Sequence, residues 1–172
     1  PEDYQQAISW YRKAADQGHA KALFNLGAPY CEGRNVPRDY RQAVSWYRKS
    51  ADQGYAEAQY YLGVMYANGD GVREDAQQAV SWYRKAADQG HAEAQYNLGA
   101  AFYAGRGVPR DYQQAMSWYR KSADQGDADA QCSMGDMYFK GTGVRIDCQQ
   151  AILWFRKAAD QGHAKALFNL GA

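Results

Sequence analysis

Histidine is a common metal ligand, and this sequence places its three copies at equivalent positions of a repeating pattern: His19, His91 and His163. Such a column could in principle hold a zinc ion through its imidazole nitrogens. Packed helices lie roughly 10 Å apart, and these histidines belong to alternate repeats, so they are too far apart to share one ion. We therefore predict no metal and no other cofactor, and a structural role for each histidine at the start of a helix.

Serine and cysteine could supply nucleophiles, but neither occurs in a catalytic arrangement. One serine column recurs with the repeat and has no accompanying histidine and acid: Ser9, Ser45, Ser81 and Ser117. Such a column is most simply a solvated helix position. Three cysteines do not follow the repeat, which argues against one disulfide per repeat and predicts free thiols in small apolar slots: Cys31, Cys132 and Cys148. The sequence predicts no enzyme.

The charged residues are balanced. Twenty basic and nineteen acidic residues give a net charge of +1. An Arg-Lys pair recurs in every repeat, but an aspartate four residues after each arginine partly neutralises it on the same helix face. This balance argues against a nucleic-acid partner. The sequence also lacks a run of about eighteen apolar residues, so we predict no membrane insertion.

The five tryptophans stand 36 residues apart, at positions 10, 46, 82, 118 and 154. Two glycine columns keep the same period, one from Gly18 to Gly162 and the other from Gly27 to Gly171. A fixed period of this length is typical of stacked-repeat solenoids. We therefore expect residues 1–172 to form a single solenoid of nearly five repeats. The chain begins at Pro1 without a methionine, and we expect it to be a fragment of a longer array.

Each repeat reads as two helices. In residues 75–107, Asp75 and Gln78 form a capping-box pattern that predicts a helix start, and Gly90 is expected to end that helix in a left-handed conformation. The apolar stripe of this helix includes Trp82 and Tyr83, and a second helix follows from about 92 to 104. Aromatic residues at helical spacing beside alanines predict core packing rather than a ligand-stacking ladder.

The sequence resembles the Sel-one-like repeat (SLR) family, a relative of the tetratricopeptide repeats. Residues 92–108 read AEAQYNLGAAFYAGRGV, and residues 111–126 read DYQQAMSWYRKSADQG, which match the family pattern. Local departures are Asn35 at a turn glycine, Ala76 and Cys148 at a tyrosine position, and Pro29 near a helix end. Asn35 tolerates the left-handed region, so its turn should form, whereas Pro29 should fray or kink its helix.

The resemblance implies an all-α, right-handed superhelical solenoid of antiparallel helical hairpins that serves as a scaffold or adaptor for other proteins. Similar bacterial members are often exported, so the resemblance favours a periplasmic or secreted location. Some members carry cysteine pairs in every repeat, and this chain does not. The Lys and Asn residues with which related tetratricopeptide domains clamp a peptide carboxylate are replaced here by aromatic or small apolar residues.

By analogy with tetratricopeptide stacking, the second helix of each repeat lines a concave groove. Its variable columns predict an aromatic and acidic protein-binding groove formed by Phe24, Glu57, Tyr60, Val64, Glu93, Tyr96, Tyr103, Asp129, Asp136 and Phe139. The clustered carboxylates favour a basic or aromatic-basic partner segment. An alternative is that Tyr60, Tyr96 and their equivalents shield the seams between repeats.

The sequence therefore supports a protein-binding scaffold, with a structural spacer or self-assembling rod as the alternative. The second interpretation rests on the near-identity of the repeats, which leaves little surface unique to any of them. Residues 12–28 and 156–172 are identical, and neither end shows a polar capping helix. We therefore also expect head-to-tail contact between molecules through the complementary ends.

Overall fold

The computed structural model describes the backbone of residues 2–171 and the side chains of residues 6–171. This part of the chain contains helices and no strands, which confirms the all-α prediction. The helices are α1 (Glu2–Asp16), α2 (Ala20–Glu32), α3 (Tyr40–Asp52), α4 (Ala56–Asn68), α5 (Ala76–Asp88), α6 (Ala92–Ala104), α7 (Tyr112–Asp124), α8 (Ala128–Lys140), α9 (Cys148–Asp160) and α10 (Ala164–Gly171).

The predicted aspartate caps start the odd-numbered helices from α3 to α9. Asp75 accepts hydrogen bonds from the backbone N–H groups of Gln77 and Gln78, each at 3.0 Å. Asp39 and Asp111 cap α3 and α7 in the same way, and Asp147 caps α9 by accepting from the backbone N–H of Gln150. Helix α1 begins at Glu2, one residue before Asp3, which occupies the position of Asp75 in the first repeat and whose side chain lies outside the described residues.

Left-handed residues end the helices, as predicted. Gly90 follows α5 with φ of 90°, and the glycines of its column all have positive φ. Asn35 has φ of 61° at the turn where other repeats have glycine, so the expectation for this position is confirmed.

The expected disruption at Pro29 was wrong. Helix α2 continues through Pro29 to Glu32 and has the same length as α4, 13 residues each. The carbonyl oxygen of Pro29 accepts hydrogen bonds from Gly33 and Arg34, so the helix end is satisfied. Because Pro29 lies in the last turn, only one backbone donor is lost, and the remaining bonds hold the turn.

The chain divides into two compact units, Pro1–Gln89 (unit 1) and Gly90–Ala172 (unit 2). In unit 1, α2 packs most extensively against α3, and α4 against α5. In unit 2, the equivalent pairs are α6 with α7 and α8 with α9. The most extensively packed pair therefore consists of the second helix of one hairpin and the first helix of the next hairpin. The single solenoid over residues 1–172 stays a prediction.

A close approach of glycine to an aromatic ring holds each of these pairs together. A Cβ atom added at Gly63 would lie 2.5 Å from the ring of Tyr83, and one added at Gly27 would lie 2.8 Å from the ring of Tyr47. In unit 2, Gly99 meets Tyr119 and Gly135 meets Phe155 in the same way. The second glycine column therefore exists because the ring of the next helix occupies the space of a side chain.

Buried polar side chains connect a second helix to the first helix before it and to the residue that follows the next first helix. Gln59 donates to the carbonyl oxygen of Ala51 at 3.1 Å and accepts from Gln89 at 2.8 Å. In unit 2, Gln131 and Gln161 repeat this arrangement with distances of 3.1 and 2.9 Å. Each buried amide of this kind has a partner, so these seams carry little of the cost of an unsatisfied polar group.

Most tryptophans lie in the core. Trp82, Trp118 and Trp154 are buried, as predicted, whereas the side chain of Trp10 is 61% exposed. A lysine three residues later covers each ring, as at Lys85 over Trp82 with 3.8 Å to the ring centroid. The serine column is exposed, in agreement with its prediction as a solvated helix position.

We predict that Gly99→Ala lowers the free energy of unfolding by about 1–3 kcal/mol, because overpacking a filled core costs this much. The added Cβ would lie 2.8 Å from Cδ1 of the buried Tyr119 ring. The matched control is Gly171→Ala, in the same column, where nothing lies within 4 Å. Denaturation followed by circular dichroism should show a lower free energy of unfolding for Gly99→Ala and an unchanged one for Gly171→Ala. Equal effects of the two variants would contradict the steric explanation.

Candidate functional site

The histidine column serves helix starts. His91 accepts a hydrogen bond on Nδ1 from the backbone of Ala94 at 3.3 Å, and His163 does the same with Ala166 at 3.2 Å. An Nδ1 atom that accepts this bond carries no proton, so it does not donate to Glu93 at the same time, although the two atoms lie 3.3 Å apart. The predicted structural role is confirmed for these two histidines. Among residues 6–171, no group of side chains is suited to bind a metal ion.

In unit 1, the predicted aromatic residues of the groove are half-buried against the next first helix. Phe24 stacks on Tyr47 with ring centroids 5.0 Å apart and also contacts Tyr61 at 5.5 Å. Tyr60 lies 6.2 Å from Tyr83. These rings therefore help to close the seams around the glycine contacts and leave only part of their surface for a partner. Glu57 and Val64 lie on the same helix as Tyr60 and are also half-buried.

In unit 2, Tyr96 takes the equivalent place beside Tyr119, with ring centroids 5.6 Å apart. Burial raises the pKa of the Tyr96 hydroxyl, and the negative charge of Asp129 raises it further. The next residue of this column is Cys132, which is buried, as predicted for a free thiol in an apolar slot. Cys148 differs, since its thiol is exposed.

The carboxylates predicted to make the groove of unit 2 acidic are not all free to bind a partner. Asp136 is bound by Lys165 at 2.5 Å and by Asn169 at 3.4 Å. The hydrogen bond to Asp136 raises the pKa of the Lys165 ammonium. Asp129 contacts His163 at 3.0 Å but remains 66% exposed, and Glu93 is 63% exposed. Exposed negative charge is therefore provided by Glu93 and Asp129, and Asp136 is neutralised.

The most exposed aromatic side chain among the predicted groove residues is Phe139. Its equivalent, Tyr103, packs edge-on against Tyr112 at 5.4 Å. Phe139 has no such ring beside it, because Cys148 stands where Tyr112 does, and it is 59% exposed. The departure at Cys148 therefore turns a seam aromatic into a surface aromatic.

Two exposed apolar residues were missed by the sequence analysis. Ile146 occupies a column that otherwise holds Arg38, Glu74 and Arg110, and Leu153 replaces serine in the solvated column. Both are exposed in the structure. A departure from an otherwise polar column was the signal that could have revealed them.

A family-model comparison matches the Sel1 repeat to residues 1–19, 20–55, 56–91, 92–127 and 128–163. Each full match within a unit joins a second helix to the following first helix, which is the pair with the closest packing in the structure. The chain belongs to the Sel1 repeat family. Members of this family are generally protein-interaction scaffolds rather than enzymes.

Solved structures of Sel1 repeat proteins are similar to this chain. A protective antigen of uropathogenic Escherichia coli with an SLR fold is 43% identical, with a TM-score of 0.92 over 95% of this chain. A Sel1 repeat protein of Oxalobacter formigenes is 37% identical, with a TM-score of 0.88, and the match covers 96% of this chain and 68% of that one. An immunity protein of Pseudomonas aeruginosa is 27% identical, with a TM-score of 0.60, and the match covers 92% of this chain and 59% of that one.

The match spans only 35% of the length of the Escherichia coli antigen. These similarities confirm the solenoid class of helical hairpins. A search of curated proteins found no match. No helix within the described residues is long and apolar enough to cross a membrane.

The residue before each even-numbered helix differs among the repeats of this chain. In α8 this N-cap residue is Asp127. Burial raises the pKa of the Asp127 carboxyl, and the nearby charges of Asp129 and Glu93 add to this effect. The Ala130 backbone N–H and the Ser122 hydroxyl oppose it. A carboxyl with a raised pKa in the folded state costs stability as the pH rises through that pKa.

We therefore predict that Asp127→Asn stabilises the fold at pH 7 by about 0.5 kcal/mol, since asparagine caps helices as well as aspartate does and carries no charge. The gain should shrink as the pH falls into the range in which Asp127 is protonated. Melting temperatures measured between pH 4 and pH 8 test this, with Asp111→Asn at an exposed cap of the same unit as control. A gain that does not change with pH would contradict the electrostatic cause.

Proposed function

We propose that this Sel1 repeat protein is a scaffold that holds a segment of a partner protein against its second helices. In unit 1 the proposed surface is formed by Phe24, Glu57, Tyr60 and Val64. In unit 2 it is formed by Glu93, Tyr96, Tyr103, Asp129, Asp136 and Phe139. The observation that carries the proposal is the exposed ring of Phe139 on α8, the helix that also presents the exposed carboxylate of Asp129.

The residues of this surface have different roles. Tyr60 and Tyr96 contact the core rings Tyr83 and Tyr119, so their removal changes both stability and any binding. The ring of Phe139 is exposed in the free protein, so it contributes little to the stability of the fold and offers a large apolar area to a partner. Aromatic side chains of this kind are enriched among residues that dominate binding energy. Phe139 is therefore the residue that separates binding from folding most cleanly.

Charge favours a basic or aromatic-basic segment. Glu93 and Asp129 are exposed on neighbouring second helices of unit 2, and the imidazole of His163 contacts Asp129. A partner lysine or arginine would gain charge-assisted hydrogen bonds from these carboxylates. Asp136 contributes less to this preference, since Lys165 already binds it.

We predict that Phe139→Ala weakens binding of a selected peptide by about 1–2 kcal/mol, the range of an interface aromatic. Peptides would be selected from a random library on the 172-residue chain and measured by calorimetry. The matched control is Leu153→Ala, which removes another exposed apolar side chain of unit 2, on the first helix α9. An equal loss in both variants, or none in Phe139→Ala, would place the binding surface elsewhere.

The salt dependence of the affinity tests the preference for a basic partner. Affinity for a basic peptide should fall when the salt concentration rises, because exposed charges are screened. The double variant Glu93→Gln, Asp129→Asn should lose this salt dependence. Affinity that does not change with salt would count against a basic partner.

The alternative function, a self-assembling rod, is favoured by a separate observation. Trp10 is 61% and Phe168 is 73% exposed, whereas their equivalents Trp82 and Phe24 are covered by neighbouring helices. The sequence of α10 is identical to that of residues 20–27 in α2, which packs against α3. The exposed face of α10 therefore has the composition that accepts a first helix.

We predict that the 172-residue polypeptide associates end to end at high concentration through α10 of one molecule and α1 of another. Light scattering should show a mass that rises with concentration, and Phe168→Glu should abolish the rise because it places a charge in the contact. Phe139→Glu is the control, since it adds the same charge to another exposed ring. A constant monomer mass up to about 1 mM, well above ordinary Kd values of specific interfaces, would overturn the prediction.

A further inference from the structure

A small cavity lies between α1, α2 and α3 of unit 1. Its volume is about 140 Å³. Apolar side chains form most of its wall, and one guanidinium and one phenol complete it: Ile8, Arg12, Leu26, Pro29, Tyr30, Val36 and Trp46. Cavities of roughly this size with apolar walls accept a molecule such as benzene.

In two of the other repeats, a methionine occupies the position of Pro29, whereas Ala101 occupies it in a third. In α4, Met65 stands where Pro29 stands in α2, and its side chain is buried. Arg48 donates there to the hydroxyl of Tyr66 and lies 5.8 Å from the ring of Trp82. The pyrrolidine ring of Pro29 is shorter than a methionine side chain, so it leaves space beside Trp46.

Unit 2 shows the same filled arrangement. Met137 is buried at the position of Pro29. Arg120 donates to the hydroxyl of Tyr138 at 3.1 Å and lies 4.9 Å from the ring of Trp154. The cavity of unit 1 therefore differs from both filled sites in two lining residues: Pro29, where they have methionine, and Ile8, where they have Val44 and Met116.

The polar groups of the cavity point to an anionic ligand. Arg12 is exposed, and it makes no ion pair or hydrogen bond with another side chain in the described part of the chain. No acidic residue lines the cavity within residues 6–171, and among these a cation would meet the like charge of Arg12. A carboxylate would accept two parallel hydrogen bonds from a guanidinium and a further one from a phenol.

We propose that this cavity binds a small aromatic carboxylate, with its ring beside Trp46 and its carboxylate at Arg12 and Tyr30. The volume accommodates one aromatic ring. The ring gains apolar contact with Leu26, Val36 and Trp46, and the carboxylate keeps hydrogen bonds that replace those to water. This site is separate from the protein-binding surface proposed above and does not depend on it.

Benzoate is the probe for the test, and the protein is the 172-residue chain. Calorimetry and the NMR signals of the indole N–H groups should show one site with a Kd of about 1 mM, ordinary for so small a ligand. Pro29→Met should weaken binding at least tenfold, because a methionine fills the equivalent space in two other repeats. Circular dichroism should show that this variant stays helical.

Arg12→Gln distinguishes the contribution of the positive charge from that of the apolar cavity, and it tests the proposal even if Pro29→Met fails to fold. It should weaken benzoate binding about tenfold and leave binding of the neutral benzyl alcohol unchanged. Arg34→Gln removes an exposed positive charge of the same unit outside the cavity and should have no effect. Absence of benzoate binding at 10 mM, equal binding in Pro29→Met, or equal losses in Arg12→Gln and Arg34→Gln would overturn the proposal.

Discussion

The contact between a glycine of each second helix and the aromatic ring of the following first helix is the constraint on which the structure depends. At Gly63 the ring of Tyr83 lies where a Cβ atom would be, and at Gly135 the ring of Phe155 does. This approach brings the helix backbones close together and buries the large aromatic rings of the first helices. Other features of the repeat accompany it: a buried amide such as that of Gln59 also accepts a hydrogen bond from Gln89 after the next first helix, and half-buried rings such as Tyr60 close the edges of the seam.

This constraint also explains why the closest packing occurs between the second helix of one hairpin and the first helix of the next. The repeat of the family model begins at the second helix, and in each unit the matched segments are the tightly packed helix pairs. A reading that divides the chain at the aspartate caps, such as residues 75–107, separates the two helices that hold each other most firmly. Helix caps mark where helices begin, but they do not show which helices are paired.

Much of the fold could be predicted from the sequence, because a residue that recurs in every repeat has the same structural cause in each of them. The aspartate caps, the left-handed glycines and the buried tryptophans were predicted from their columns. The site could be predicted less well, since it depends on single residues that differ from the others in their column. Lys165 neutralises Asp136, and the loss of a tyrosine at Cys148 exposes Phe139; both effects arise from pairs of residues on different helices. Pro29 was misjudged because the position of a proline within the last helical turn decides how much it disrupts.

The buried side-chain bonds have a further consequence for how such a chain is assembled and extended. Ser50 to Ala20, Gln89 to Gln59, Ser122 to Ala92 and Gln125 to Gln95 all join residues 30 positions apart. Every such bond closes a short loop of chain, so the loss of chain entropy is modest and does not grow with the number of repeats. Folding can then begin in any neighbouring pair and spread outward. A genetic duplication or deletion of one whole repeat would leave each remaining loop the same size, so length can change in evolution without redesign of any interior contact.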